Sequence, residues 1–349
     1  MPIPARYDFA GCRAYRAGVE RLYVIGGYQS VYIYLTDVDE YTPSTNSWAS
    51  QADMPTRREG VRAAVIGNMI YAIGGDYFDL NQYIDYVYDI VERYEPETDQ
   101  WTTGYAAMPT ARTDACCAVA VNEYGDSCIY VFGGSTSIVG YVASNAVEEY
   151  YPTTDSWRVR NSSGFTARGG AMAVTDRNNL IYVIGGTTDG SGSVGLVQVY
   201  DPINDIWSSD NPIQTARDGV TGGVAGDIGG RIHVVAGSTG ATPVSTNERS
   251  AEIVNVDEAW VKRKKTRLHI KNNPFRLSTE IIFFIQNPGF VQLNLFDVQG
   301  NHTVTIADGM MQAGEHSAYI DGAGLSSGVY FLRLETEEYQ ETRKVLLLK

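Results

Sequence analysis

Histidine is nearly missing from this chain: there are four in 349 residues, and His233 alone lies before residue 262. Metal centres built on clustered imidazoles are therefore excluded from the first three-quarters of the sequence, including a copper oxidase site with its paired histidines. Cysteine is scarce as well. Cys12, Cys116, Cys117 and Cys128 form no CxxC spacing, so neither a zinc ribbon nor a thioredoxin-type pair is present. Cys116, Cys117 and Cys128 fall within one expected hairpin; a local disulfide stays open there, and small buried thiols in strands are the favoured reading. No metal site and no cofactor are expected.

Long apolar runs are absent too, so no transmembrane segment is expected. Positive charge is in deficit, with 27 Lys and Arg against 41 Asp and Glu and a formal net charge of −14. That balance repels phosphate backbones and anionic lipid headgroups, which removes nucleic acid and membrane surfaces as first partners. Residues Met1 to Arg6 show neither the basic n-region nor the apolar h-region of a secretory signal.

What the chain does have is a repeat. Tyr41, Pro43, Asn46 and Trp48 recur as Tyr94, Pro96, Asp99 and Trp101, as Tyr150, Pro152, Asp155 and Trp157, and as Tyr200, Pro202, Asp205 and Trp207. A worn fifth copy keeps Ile253, Glu258 and Trp260, and successive tryptophans are 53, 56, 50 and 53 residues apart. Each copy also carries a short apolar run closed by paired glycines: Gly26–Gly27, Gly74–Gly75, Gly133–Gly134 and Gly185–Gly186, with Ala236–Gly237 fifth. An arginine opens each copy: Arg6, Arg58, Arg112, Arg168 and Arg217. The period signals stacked supersecondary units. Each unit reads as four strands, with Pro and Asn or Asp shaping the last hairpin, glycines permitting close backbone approach, and Tyr and Trp filling the space between neighbouring sheets.

On these motifs residues 1–261 resemble the kelch-repeat β-propellers. The resemblance implies an all-β propeller of five recognisable four-stranded blades set radially around a channel. Propellers of this kind commonly have six or seven blades and often share strands between the chain ends. Either five blades close without that exchange or residues upstream of Met1 belong to the gene product, the second being expected.

A basic stretch, Lys262 to Arg267, marks an expected linker over 262–271. From 272 to 349 the pattern changes to short alternating strands with turn signals at Asp297–Gly300 and Asp321–Gly324, which predicts a small antiparallel, Ig-like sandwich. This segment resembles the type A C-terminal sorting domain of the type IX (Por) secretion system of Bacteroidetes-like bacteria. The match rests on Asn273, Pro274 and Phe275, Val291 to Gly300, Gly314 and His316, Leu325, Gly328 and Tyr330, and Lys344 to Lys349. Asn272 departs from the family's usual Pro. The resemblance implies the type IX secretion machinery as a partner and an extracellular or outer-membrane-surface location, with Pro274, Gly314, Leu325, Gly328, Tyr330, Lys344 and Lys349 as sorting-signal residues. It also implies an export signal peptide upstream of Met1.

Strand polarity locates one candidate surface. In an antiparallel blade the loop after the double glycine and the connection into the next blade emerge on the same side. That side gathers Arg6, Arg58, Arg112, Arg168 and Arg217 with Asp8, Glu59, Asp114 and Asp218. Two readings stay open: a self-satisfied mouth of Arg–carboxylate pairs, or a polar site for a hydroxyl-rich or anionic ligand. Tyr77, Phe78 and Tyr83, in the loop of the second repeat, with Tyr28, Tyr32 and Tyr34 of the first, add aromatic surface suited to a glycan or a surface protein. Tyr86 and Tyr88 are expected in the strand core, and His233, in the slot of Tyr23, Tyr71, Tyr130 and Tyr182, is expected as a core substitute. Gly190 to Gly195 fits GxGxxG but leads into a strand, so no dinucleotide site is inferred. With no nucleophile or metal constellation, the expected function is a non-enzymatic, exported binding propeller. The alternative is a carbohydrate-active enzyme of lyase, mutarotase or glycosidase type, and a third reading is a spacer in a larger surface protein.

Overall fold

A computed structural model describes residues 5–29, 33–219, 224–228, 231–240, 242–249, 268–271, 273–285, 289–312, 314–336 and 340–349. The chain divides into two compact units, Met1–Ile253 and Val254–Lys349, and the described residues are all strand, turn and loop. Tyr32, the worn fifth Trp motif (Ile253, Glu258, Trp260) and the basic stretch 262–267 lie outside the described residues.

In the first unit each repeat is one antiparallel sheet. The first pairs Ala10–Arg16, Val19–Ile25, Val38–Thr42 and Ser47–Gln51 in chain order. The second comprises Arg62–Ile66, Met69–Ile73, Val91–Glu95 and Gln100–Thr102, with a separate two-stranded ribbon, Asp76–Asp79 and Ile84–Val87, in its long loop. The third and fourth start at Cys116–Val121 and Met172–Thr175 and end at Ser156–Val159 and Ile206–Asp210. The fifth shows Val224–Ile228, Arg231–Val235 and Asn247–Arg249.

Separate apolar cores lie between successive sheets. Tyr23 and Ile25 of the first share one with Ile70 and Tyr94 of the second, and Tyr71 shares the next with Ile129 and Tyr150. The repeated Tyr is the wedge: Tyr94, Tyr150 and Tyr200 are fully buried, each about 6 Å from the strand-two Tyr of the preceding blade. Each also packs against its own Trp at 4.9–5.2 Å. Ring–ring packing of this kind adds to the area buried.

The double glycines are explained by the next blade. Gly74 and Gly133 hold φ of +63° and +60°, and a Cβ there would lie 2.5 and 2.1 Å from the carbonyl oxygens of Arg112 and Arg168. The following glycines donate their N–H to those same carbonyls, Gly75 to Arg112 at 3.0 Å and Gly134 to Arg168 at 2.9 Å. Only a residue without a side chain permits that approach.

All four cysteines are free; Cys116 and Cys128 face Phe132 and Ala120 across one ladder, four residues apart. His233 departs from expectation: it is half-buried and hydrogen-bonds Asn247 at 3.2 Å. Tyr86 and Tyr88 are also half-buried rather than core, because the loop of the second repeat folds as its own ribbon.

The second unit packs two sheets over one core. One contains Leu268–Ile270, Ser278–Ile285 and Gly314–Asp321; the other His302–Met311, Gly289–Phe296, Gly328–Thr336 and Gln340–Leu347. Ile281, Phe283, Leu293, Leu332 and Val345 fill the space between them. Its first strand begins at Leu268, inside the stretch expected to be linker, because Leu268 is buried in that core.

Candidate ligand-binding site

The five arginines do not face a ligand. Arg58, Arg112, Arg168 and Arg217 are 0% exposed and Arg6 is 5% exposed. Each guanidinium turns into its own blade and meets an acid or amide on the third strand, two residues before the repeated Tyr in the first four blades and at the matching ladder position in the fifth: Asp39, Glu92 at 2.6 Å, Glu148 at 2.5 Å, Gln198 and Glu248. Other N–H groups of the series donate to backbone carbonyls, as when Arg112 donates to those of Gly133 and Ala146 at 2.9 and 3.0 Å. Burial lowers the pKa of Arg58, Arg112 and Arg168, the last to about 10, since Gln198 offers it no counter-charge. The arginine-lined site for an anionic ligand is thus corrected, and so is the pairing of these arginines with neighbouring mouth acids. Desolvated guanidinium groups demand the nearest strand-three acceptors.

That commitment releases the mouth carboxylates. Asp8, Glu59, Asp76 and Asp114 line a cavity of about 180 Å³ together with Tyr34, Thr113, Ser135, Ser137, Ile138 and Tyr141. The backbone places them. Asp8, Gly60, Asp114 and Gly170 stand two residues after successive arginines, all at φ of 51–61°. The N–H of Gly60 donates to Asp8, that of Asp114 to Gly60, and that of Gly170 to Asp114, at 2.8–3.2 Å, running from blade to blade. Glu59 sits one position earlier and pairs in an isolated bridge with Asp76, the residue after Gly74–Gly75.

Charge in this cavity is lopsided. Arg62 approaches Asp114 at 3.5 Å, and Thr113 donates to Asp76. Burial, then repulsion from Asp114, pushes the Asp8 carboxyl up to about 8. Burial, then Asp76 and Asp8, pushes Glu59 up to about 9, and burial pushes Asp76 up to about 7. Asp114 is raised by burial as well, against the pull of Arg62. Protonated carboxyls can donate hydrogen bonds to a ligand, and ionised ones can receive a cation. Asp218 does not line the cavity but its charge helps to raise Asp8 and Asp114; it is buried and accepts from Ser238 and Ser193 at 2.8 and 2.7 Å.

Beside the cavity runs a file of tyrosines. Ring centroids are 5.4 Å apart for Tyr7 and Tyr28, 5.7 Å for Tyr28 and Tyr34, and 5.1 Å for Tyr34 and Tyr77. Tyr86 and Tyr88 continue it at 6.2 and 6.3 Å. Arg57 lies over the Tyr77 ring at 5.4 Å. Phe78 is half-buried against Tyr83, which stands 81% exposed at the ribbon tip. Sequence reasoning missed Arg62, Asp76 and Tyr141, and it singled out Tyr34 only as a loop aromatic of the first repeat. Of the three missed, only Asp76 carried a signal, its fixed place after the double glycine.

Among the described residues no group of three or more His, Cys, Asp or Glu side chains is arranged to hold a metal ion. In the second unit Leu325 and Tyr330 are buried, with the Tyr330 hydroxyl donating to Ser326 at 2.8 Å. Gly314 and Gly328 begin strands, and Pro274 and Lys344 are exposed, with the Lys344 carbonyl taking a bond from Asn273. The Lys349 ammonium donates to Ala323 at 3.0 Å.

Comparison with known proteins agrees with both units. Residues 22–255 match the Attractin/LZTR1 beta-propeller model, and residues 273–348 match the secretion system C-terminal sorting domain. Kelch-like protein 35 of Mus musculus is 27% identical over 68% of this chain and 36% of its own length. Kelch-like protein 23 of Homo sapiens is 33% identical over 54% of this chain and 31% of its own, and alpha-scruin of Limulus polyphemus is 30% identical over 52% and 20%. The chain thus spans about a third or less of these relatives. The solved structure of YjhT superposes with a TM-score of 0.56 at 15% identity, covering 98% of each chain, which shows a shared fold. The sorting domain makes the propeller exported cargo of a secretion system. With its repeats, blades and interblade cores accounted for, the chain belongs to the Attractin/LZTR1 β-propeller family and carries a kelch-type propeller ahead of a Por secretion sorting domain.

Proposed function

We propose that this is an exported, non-enzymatic binding propeller whose loop face holds a glycan or protein ligand outside the cell or at its surface. The sorting domain delivers it through the type IX machinery. The observation that carries this reading is the cavity itself: four carboxyl groups with Arg62 as their near cation, beside a file of tyrosines, on the face where the variable loops emerge. Such a surface combines an apolar body with convergent polar groups, as ligand sites do. The test is binding of the full chain to glycan and protein arrays, repeated with Tyr34→Ala and Glu59→Gln. Loss of signal in both variants is expected, and unchanged binding overturns the site.

One observation favours a second reading, a carbohydrate-active enzyme. The mouth carboxyls are not tied up by the five arginines, and Asp8, Glu59 and Asp76 are raised into the range of a general acid. Turnover of aryl glycosides or sugar anomers by the full chain, lost in Glu59→Gln, would establish it. No turnover with intact binding removes it.

A further inference from the structure

Within that loop-face reading, on which this step rests, the rim of the cavity distinguishes between the two ligand classes. Ile33, Leu80, Tyr83, Ile84, Val139 and Val142 lie in the loops after the double glycines of the first three blades and are 42–81% exposed. Tyr34, next to Ile33, and Ile138 and Tyr141, flanking Val139 and Val142, line the cavity, so the rim is continuous with it. The matching loop of the fourth blade is Thr187 to Ser193, built of Thr, Asp, Gly and Ser. The apolar character therefore belongs to one side of the face. Aliphatic side chains offer no hydrogen bond to sugar hydroxyls and no flat ring for stacking; against a protein they bury apolar area.

Charge and size then select what enters the centre. Asp8, Glu59, Asp76 and Asp114 meet Arg62 as a near cation, while the five repeat arginines are buried and engaged within their blades. Burial holds protons on these carboxyls, and a cation that enters among them displaces those protons, so it binds more tightly as pH rises. The cavity, at about 180 Å³, is below the roughly 300 Å³ at which small-molecule sites begin, and so suits one long side chain rather than an oligosaccharide. Tyr34 supplies an aromatic wall beside the carboxylates, a setting that suits a Lys or Arg head and its apolar stem.

We infer that the ligand is a protein segment that inserts a lysine or arginine side chain among Asp8, Glu59, Asp76 and Asp114 and lays flanking apolar residues on the rim formed by the loops of blades one to three.

The probe is a random heptapeptide library displayed on phage, selected on the full chain. The expected result is enrichment of one Lys or Arg flanked by aliphatic or aromatic residues. A synthetic peptide of the enriched sequence should bind the Glu59→Gln, Asp8→Asn double variant about tenfold more weakly or worse, and a Leu80→Ser, Val139→Ser variant should lose the apolar flanking preference. Thermal melts of each variant show that the fold is kept. Peptides selected without a basic residue, or bound equally by the carboxyl variant, overturn the inference. Glycan binding that Tyr34→Ala abolishes, with no peptide enriched, overturns the protein partner while leaving the loop-face site standing. Array and library signals both indifferent to loop-face substitutions overturn the site as well.

Discussion

Trp157 donates its indole N–H to the carbonyl of Ala106, 2.9 Å away in the connection leaving the preceding blade. Asp155 accepts the N–H of that same Ala106 at 2.9 Å and also the hydroxyl of Tyr150 at 2.8 Å. Trp101 with Asp99 on Ala52, and Trp207 with Asp205 on Asn161, repeat the arrangement. The Asp–x–Trp spacing is thus a two-point clamp on one residue of the connection from the preceding blade. Trp157→Phe keeps the ring and loses one bond, for an expected cost of about 1 kcal/mol, and Asp155→Ala loses two acceptor contacts, for about 2 kcal/mol. Because both grip Ala106, the double variant should lose less than the sum in urea titrations. Strict additivity would show that the two contacts act independently.

Glycine placement gives a sharper contrast. Gly133 and Gly140 share a positive φ, but a Cβ at Gly133 meets the Arg168 carbonyl oxygen at 2.1 Å, whereas one at Gly140 meets nothing within 4 Å. Gly140→Ala should cost the conformational strain alone, about 1–2 kcal/mol. Gly133→Ala should cost clearly more, about 3 kcal/mol or above, because the next blade must move. Equal losses in denaturant midpoint would contradict that packing.

Buried and exposed ion pairs should separate in the same way. Glu148→Gln leaves the fully buried Arg112 guanidinium without its counter-charge, and a loss of about 3–5 kcal/mol is expected. Glu20→Gln breaks the pair with Arg13 at 3.4 Å, where both side chains are largely exposed, and should change stability by less than about 0.5 kcal/mol. Thermal denaturation of both variants provides the comparison.

The cavity carboxyls set a pH dependence whose sign follows from their shifts. Asp8, Glu59 and Asp76 hold their protons to about 8, 9 and 7, against about 4 in an unfolded chain. Between about pH 4 and 9 the unfolded state therefore gives up protons that the folded state keeps. These groups lend full stability below pH 4, and it is lost as pH rises through 7 to 9. Four of the five tryptophans lie within Met1–Ile253, so Trp fluorescence follows mainly the propeller. Its melting temperature should fall from pH 5 to pH 9, and Glu59→Gln should flatten the slope; a rise with pH would contradict the burial of these groups.

Much of this was legible before any coordinates. The Tyr, Pro, Asp and Trp spacing identified the blade, and the paired glycines marked the close approach of the next one. The arginine series was legible as a series, but its direction was not. Asp39, Glu92, Glu148 and Gln198 stand in register two residues before the repeated Tyr, yet an alternating strand reads equally well with such residues facing solvent. Only packing shows that they turn inward to meet a guanidinium. Tyr34 was legible as a loop aromatic but not as a wall of the cavity, and Arg62 and Tyr141 had no sequence signal, since they sit at unrelated positions in a strand and a loop of unequal sequence.

The sequence alone settled the blade, its repeat and the presence of a second domain after the propeller, because periodic apolar and turn residues act locally and recur in phase. Tertiary structure decided which charges are used up and which are left over. Backbone contacts running from blade to blade bring Asp8, Glu59, Asp76 and Asp114 together from distant parts of the chain, while burial commits the arginines elsewhere. Desolvation depends on what surrounds a charge in space, and that is a property no single stretch of sequence contains.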